Sequence, residues 1–362
     1  MKFNTFLFLH LVHSSRVLPR TVIGGYSSWG TCDQTRFVQE AIDGVNLIWW
    51  FQINLPPTLS ESFLNCVANV SQNLKNLALP TTHLVTVGGW NAPHPINYTS
   101  ASEMYNEWKT WNEQVVSRPG FEGGFDGIDW DLEGFDDPKN PFNTLAVKTL
   151  DLVGGFSQLA KNDGYLITLV PCESYLDPTT SLFDRSLLWP YSDFHPEFKY
   201  HGHNNYAYFL SRYGETQLAS GATVPTFDAT TIQLYESFSH ADYNITVLGQ
   251  SAAQYLAQFI KNIIAGWKVE FSSDPSINWS TSLVSVPASR LMLGLANGWA
   301  GGPTPKSVLI MPSDVKGAWA LLGDSVPLGI GFWDMPDEGR IPTGQNVSLY
   351  MARDLNSFMN TR

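Results

Sequence analysis

The chain is short of charge. Only 15% of its 362 residues are Asp, Glu, Lys or Arg, and 21 basic residues face 33 acidic ones, for a net charge of −12. That balance argues against nucleic acid as a partner and leaves a neutral ligand unopposed. Cysteine is scarce too: Cys32, Cys66 and Cys172 are too few for a disulfide scaffold. Cys32 and Cys66 can pair if the protein is secreted, and Cys172, just past an apolar strand, reads as a free buried thiol. No metal-ligand spacing links Cys and His; His201-Gly202-His203 stands alone and reads as a solvated loop. Neither metal nor cofactor is expected. No run approaches 18 apolar residues, so no membrane insertion is expected. Repeats, low-complexity tracts and linkers are missing as well, which leaves one domain.

What is present is a globular composition, 43% hydrophobic and 13% aromatic with 13 Trp. Met1-Lys2, the short apolar run from Phe6 to Val12 and Val12-His13-Ser14 read as a secretory signal peptide over 1–15, followed by a single domain over 20–362. Sequons begin at Asn69, Asn97, Asn244, Asn278 and Asn346. With the leader they predict a secreted, extracellular glycoprotein.

Strand-like apolar runs alternate with helix-like stretches, which predicts an α/β barrel. The strands are expected at Thr21–Gly25, Val45–Ile53, His83–Val87, Gly127–Leu132, Tyr165–Val170, Thr231–Tyr235, Leu291–Leu295 and Leu328–Trp333. Helices are expected at Ser60–Ala78, with Ser60 as N-cap, and at Ser102–Val116, Leu145–Asn162, Ser251–Ile264 and Ser313–Leu322. The stretch from Leu176 to Asp228 is long and rich in aromatics and His (Trp189, Tyr191, Phe194, His195, Tyr200, Tyr206, Tyr208, Phe209). It is either one wall of a cleft or a structural insertion.

The fourth strand carries the sharpest signal. In Asp126-Gly127-Ile128-Asp129-Trp130-Asp131-Leu132-Glu133, three acids alternate with three apolar residues. Period two puts Asp129, Asp131 and Glu133 in a row on one strand face. Burying such a row is costly unless it is hydrogen-bonded or used. Crowded carboxyls drive their pKa values apart, and the last can hold a proton near neutral pH, as a general acid must. A calcium loop or a solvated edge strand fits this apolar composition poorly.

The segment resembles the D-G-x-D-x-D-x-E motif of glycoside hydrolase family 18, which includes chitinases, some endo-β-N-acetylglucosaminidases and non-catalytic chitinase-like lectins. All eight positions fit. The resemblance implies a TIM (β/α)8 barrel with Glu133 at the C-terminal mouth, where barrel active sites lie. It implies further matches: Thr86-Val87-Gly88-Gly89-Trp90 at the end of strand three, Gln233-Leu234-Tyr235-Glu236 at strand six, and Gly331-Phe332-Trp333-Asp334 at strand eight. Glu236 departs from the family's Asp or Asn. The short interval between strands seven and eight resembles compact single-domain members that lack the small insertion domain, and implies an open groove.

From this resemblance Glu133 is the expected proton donor, Asp131 the group that holds the substrate's acetamido nitrogen, Asp129 its tuning partner and Tyr235 the hydroxyl that orients the acetamido oxygen. Trp333, Gln233, Gly88, Gly89, Trp90, Asp126 and Glu173 are expected around the substrate, with Trp50 and Trp299 as weaker cleft candidates. The implied activity is endo-acting, retaining, substrate-assisted hydrolysis of β-1,4-N-acetylglucosamine linkages by a monomer acting on chitin or N-acetylglucosamine-containing oligosaccharides. Rivals on the same scaffold are an endo-β-N-acetylglucosaminidase of N-glycan cores, a chitinase-like lectin, and an inhibitor or storage protein. Lectins of this kind typically lose one of the acids, all of which this chain keeps.

Overall fold

The computed structural model describes residues 16–187, 203–235, 239–298 and 308–360. The expected leader over 1–15, Trp299, Glu236 and the aromatics Trp189, Tyr191, Phe194, His195 and Tyr200 lie outside the described residues. Parallel strands close into a barrel in the order 1-8-7-6-5-4-3-2. They are β1 (Val22–Tyr26), β2 (Leu47–Ile53), β3 (Thr82–Gly89), β4 (Gly127–Leu132), β5 (Leu166–Leu169), β6 (Ala229–Gln233), β7 (Leu291–Ala296) and β8 (Gly329–Trp333). Every expected strand is present, with ends moved by no more than two residues. The largest move is in β6, which starts at Ala229 because Asp228 already pairs with Ile167 through both its backbone N–H and its carboxylate.

Helices α1 (Gln34–Ile42), α2 (Glu61–Asn76), α3 (Ala101–Trp111), α4 (Val147–Asn162), α5 (Ala207–Arg212), α6 (Ala252–Ala265), α7 (Pro312–Leu322) and α8 (Met351–Met359) form the shell. Ser60 caps α2 as expected, its hydroxyl accepting from Phe63 N. The α3 pattern stops short of Val116: buried Asn112 clasps both backbone groups of Phe125, at 3.0 and 2.9 Å, and the chain widens into a π-helical turn over Asn112–Val116. Helices α1, α5 and α8 were not expected.

Each strand is buried on both faces, as parallel barrel strands must be. Outward residues such as Ile128, Trp130 and Leu132 join the large core under the helices, while inward residues such as Tyr26, Trp49, Phe51, Leu84 and Met292 fill the barrel. Trp49 is the plug. Its ring stacks on Tyr26 at 4.6 Å, and a Cβ on Gly24 would stand 2.1 Å from it. Trp50 points the other way, buried against Phe37 and Phe63 with its Nε1 donating to His83 Nδ1 at 3.1 Å. It is a shell residue, not the cleft residue expected, because adjacent strand positions face opposite sides.

Tyr175 and Tyr206 stack, and Tyr208 and Phe209 are buried in the outer core, so this described part of 176–228 props the barrel from outside. Among the described residues α7 alone stands between β7 and β8. Cys32 and Cys66 form a disulfide, and Cys172 is free and buried.

Candidate functional site

The row forms as its period-two spacing requires. Asp129 is fully buried, and Asp131 and Glu133 rise behind it to the C-terminal mouth. Strand register aligns Thr86, Asp129 and Thr168 at one level of three neighbouring strands. Asp129 Oδ2 accepts from Tyr26 Oη at 3.0 Å and from Thr86 Oγ1 at 3.2 Å, and Oδ1 accepts from Thr168 Oγ1. Three hydroxyl donors meet the requirement that a buried carboxylate be hydrogen-bonded. Burial nevertheless outweighs them and raises Asp129 to about 6.

One level up, Gln233 Nε2 donates to Asp131 Oδ1 at 3.1 Å, to Glu133 Oε1 at 3.5 Å and to Val170 O at 2.8 Å. Asp131 and Glu133 also share a side-chain hydrogen bond. Two carboxyls can share such a bond only when a proton lies between them. Burial raises Glu133, with the contacts from Asp131, Gln233 and Cys172 opposing it. Burial thus pushes Glu133, at the solvent end of the row, toward its protonated form, the form a general acid needs.

Gly88 lies opposite Asp131, at φ +108°, and a Cβ there would sit 2.0 Å from Asp131 O. Gly89, at φ +101°, leaves room for Phe51. Both glycines serve close packing under the row. Tyr235 packs with Trp333 and Ala296 at the mouth. Trp333 is half-buried, 5.7 Å from Tyr26, 4.8 Å from Phe51 and 6.3 Å from Trp29 between ring centres. Trp90 caps β3, its Nε1 donating to Asp136 Oδ1 at 3.0 Å in the loop that follows the row.

Two expected site residues are elsewhere. Asp126 precedes β4 and lies at the N-terminal end of the barrel, accepting from His83 N at 2.9 Å and pairing with Arg16. One strand length separates it from Glu133, so it cannot share a substrate with the row. Glu173 turns outward immediately after β5. It accepts from Tyr255 Oη of α6 and from Ala241 N, and burial raises it to about 7.

Several contributors went unread in the sequence. Tyr26 and Thr168 are polar residues at inward positions of otherwise apolar strands, and that parity was the available signal. His94 Nε2 donates to Glu133 O at 2.8 Å, and burial lowers the ring to about 4, which keeps it neutral. The Tyr206 hydroxyl accepts Leu132 N at 2.6 Å where β4 outruns β5. Asn297 holds the turn after Trp333, donating to Asp334 O at 2.6 Å and accepting Asp334 N at 3.2 Å. Trp29 is a half-exposed ring beside Trp333 and Phe51. No group of residues that could hold a metal gathers among the described residues. Clefts of about 900 and 810 Å3 open at the other end of the barrel, around Arg16, Pro19 and the starts of the strands.

No family model matches the chain, and no curated protein does. Solved structures do. Catalytic domain 2 of the Ostrinia furnacalis Group II chitinase aligns over 95% of this chain and 97% of that one, with a TM-score of 0.53 and 10% identity. The catalytic domain of a GH18 chitinase from the fern Peteris ryukyuensis covers 87% and 92%, with a TM-score of 0.48 and 13% identity. A xylanase and alpha-amylase inhibitor protein from Scadoxus multiflorus covers 87% and 93%, with a TM-score of 0.46 and 14% identity. Likeness at such identity is likeness of fold: the chain is a closed (β/α)8 barrel with the fold of a chitinase catalytic domain.

Proposed function

We propose that the protein is an endo-acting, retaining glycosidase that cleaves β-1,4-N-acetylglucosamine linkages in chitin or its oligosaccharides. The carrying observation is the buried Asp129–Asp131–Glu133 row, whose two upper carboxyls meet at Gln233 Nε2, 3.1 and 3.5 Å away. Glu133, held toward its protonated form by burial, donates a proton to the glycosidic oxygen. The carbonyl oxygen of the substrate's 2-acetamido group attacks the anomeric carbon, and the leaving sugar departs with the proton. Asp131 then turns its charge to the acetamido N–H, while the hydroxyls around Asp129 hold the lower carboxyl fixed. Glu133 takes a proton from water, which opens the ring intermediate with net retention. Trp333 and Trp29 offer apolar faces on which pyranose rings stack.

Secretion belongs to this reading, with the Cys32–Cys66 disulfide in its support. Asn69, Asn97, Asn278 and Asn346 are exposed, as glycosylation requires. Asn244 is half-buried, and its amide donates to His240 O at 2.7 Å.

The test is turnover of a soluble chitin oligosaccharide by wild type and by Glu133→Gln, beside a high-mannose glycoprotein. Shorter oligomers from wild type alone support the reading, with a loss in the variant of about a hundredfold to ten-thousandfold. Release of N-glycans instead would make the protein an endo-β-N-acetylglucosaminidase. Binding without turnover would make it a lectin.

A further inference from the structure

Cys172 lies beside the Glu133 carboxyl and has no part in the proposed chemistry. It is a free thiol, fully buried, placed where the chain leaves β5. An isolated parallel bridge pairs its backbone with Gln233, so the residues that flank the Glu133 carboxyl from below share one register level. The Cys172 Sγ lies 3.6 Å from Glu133 Oε2, within thiol hydrogen-bond range, while Gln233 Nε2 reaches Oε1. Each carboxyl oxygen of Glu133 thus has its own neighbour.

We infer that Cys172 is a positioning residue for Glu133: its S–H donates to Oε2, fixing the carboxyl plane and favouring the charged form. The inference rests on Glu133 acting as the acid described above. A thiol is a weak donor, which suits the task. A stronger donor would stabilise the carboxylate and pull the proton's affinity down. An apolar side chain would take the thiol donor away from Oε2 in a buried site and push it up.

Among the described residues, other ionisable groups also face Glu133. Asp131 and Asp129 share its strand, and the Tyr206 hydroxyl lies under the strand close enough to feel Asp131, Glu133 and Cys172. Tyr26 and Tyr235 complete the ring of ionisable groups around the lower row. Of these, Asp131 is the group whose side chain contacts the Glu133 carboxyl alongside the thiol. Its contribution is common to wild type and variants.

The experiment compares wild type, Cys172→Val, Cys172→Ala and Cys172→Ser. Glu133 is titrated directly by carbon-13 NMR of labelled glutamate carboxyls, its resonance assigned from Glu133→Gln, and the pH profile of kcat is recorded alongside. With the donor gone, Val and Ala should raise the Glu133 titration, and with it the alkaline limb of kcat, by about 0.5 to 1 pH unit. Serine, which restores a donor stronger than the thiol, should return it to the wild-type value or below. Val fills the site and Ala vacates it, so packing alone would separate the two in thermal stability and leave both titrations at the wild-type value. That result overturns the role of Cys172. The NMR titration decides it even without turnover, and absence of turnover in wild type would count against the glycosidase alone.

Discussion

The Tyr26 hydroxyl reaches Asp129 Oδ2 at 3.0 Å from the far side of the barrel interior, β1 bonding to β4 across the core. Removing it in Tyr26→Phe leaves the ring stacked on Trp49 but deprives a buried carboxylate of one of its donors. The folded protein should lose about 2 kcal/mol at pH 7.5, where Asp129 is ionised. Below about 6, where Asp129 is protonated, the loss should shrink. Urea unfolding at pH 5 and pH 7.5 measures both, and equal losses at the two values would contradict the assignment.

Trp29 is half-exposed and leans edge-on against Phe51, with centroids 4.8 Å apart. It extends the aromatic surface of Trp333 outward. Trp29→Ala in the Glu133→Gln background should weaken binding of long chitin oligomers about tenfold and leave the shortest ones little changed. Calorimetric titration with a length series reads this. Uniform weakening at every length would place Trp29 in folding rather than binding.

Buried acids away from the row set a pH dependence of stability. Burial, more than any neighbour, raises Glu338 to about 8 and Glu40 to about 7. A carboxyl raised above its unfolded value binds its proton more tightly when folded. Its contribution is full at low pH and is lost as pH rises from about 4.5 towards 8. Glu338→Gln keeps the hydrogen bond from Asn297 and cannot ionise. Its melting temperature should therefore fall less between pH 5 and pH 8 than that of wild type; parallel curves would refute this.

Gly24 has no room for even a methyl group, because Trp49 is rigid and enclosed. Gly24→Ala should cost about 3 kcal/mol. Gly221, where nothing lies within 4 Å of an added Cβ, has φ +85° and provides a control for backbone strain without crowding. Chemical denaturation of both separates the two causes, and equal losses would mean that the plug is looser than its geometry.

The barrel was legible because its strands are apolar on both faces and separated by helix-length intervals, and the row because alternation of acids with Ile128, Trp130 and Leu132 fits only a strand. Asp126 misled because a motif is contiguous in sequence while a strand carries its ends to opposite faces of the barrel. Glu173 misled because a 3-10 turn over Glu173–Leu176 swings it outward within one residue of Cys172. His94 and Tyr206 come from connections 39 and 74 residues from the atoms they hold, where no periodicity could announce them. Trp49 and Trp50 are indistinguishable as letters; their opposite fates follow from the phase of one strand.

The plug has a consequence for the molecule as a whole. With Trp49 stacked on Tyr26 and wedged against Gly24 and Gly331, the barrel is a bulkhead and not a passage. Whatever occupies the clefts around Arg16 meets a sealed floor, and whatever enters past Trp333 meets the other side of it. The two ends of the barrel share one scaffold, with the Tyr26–Trp49 stack standing between them.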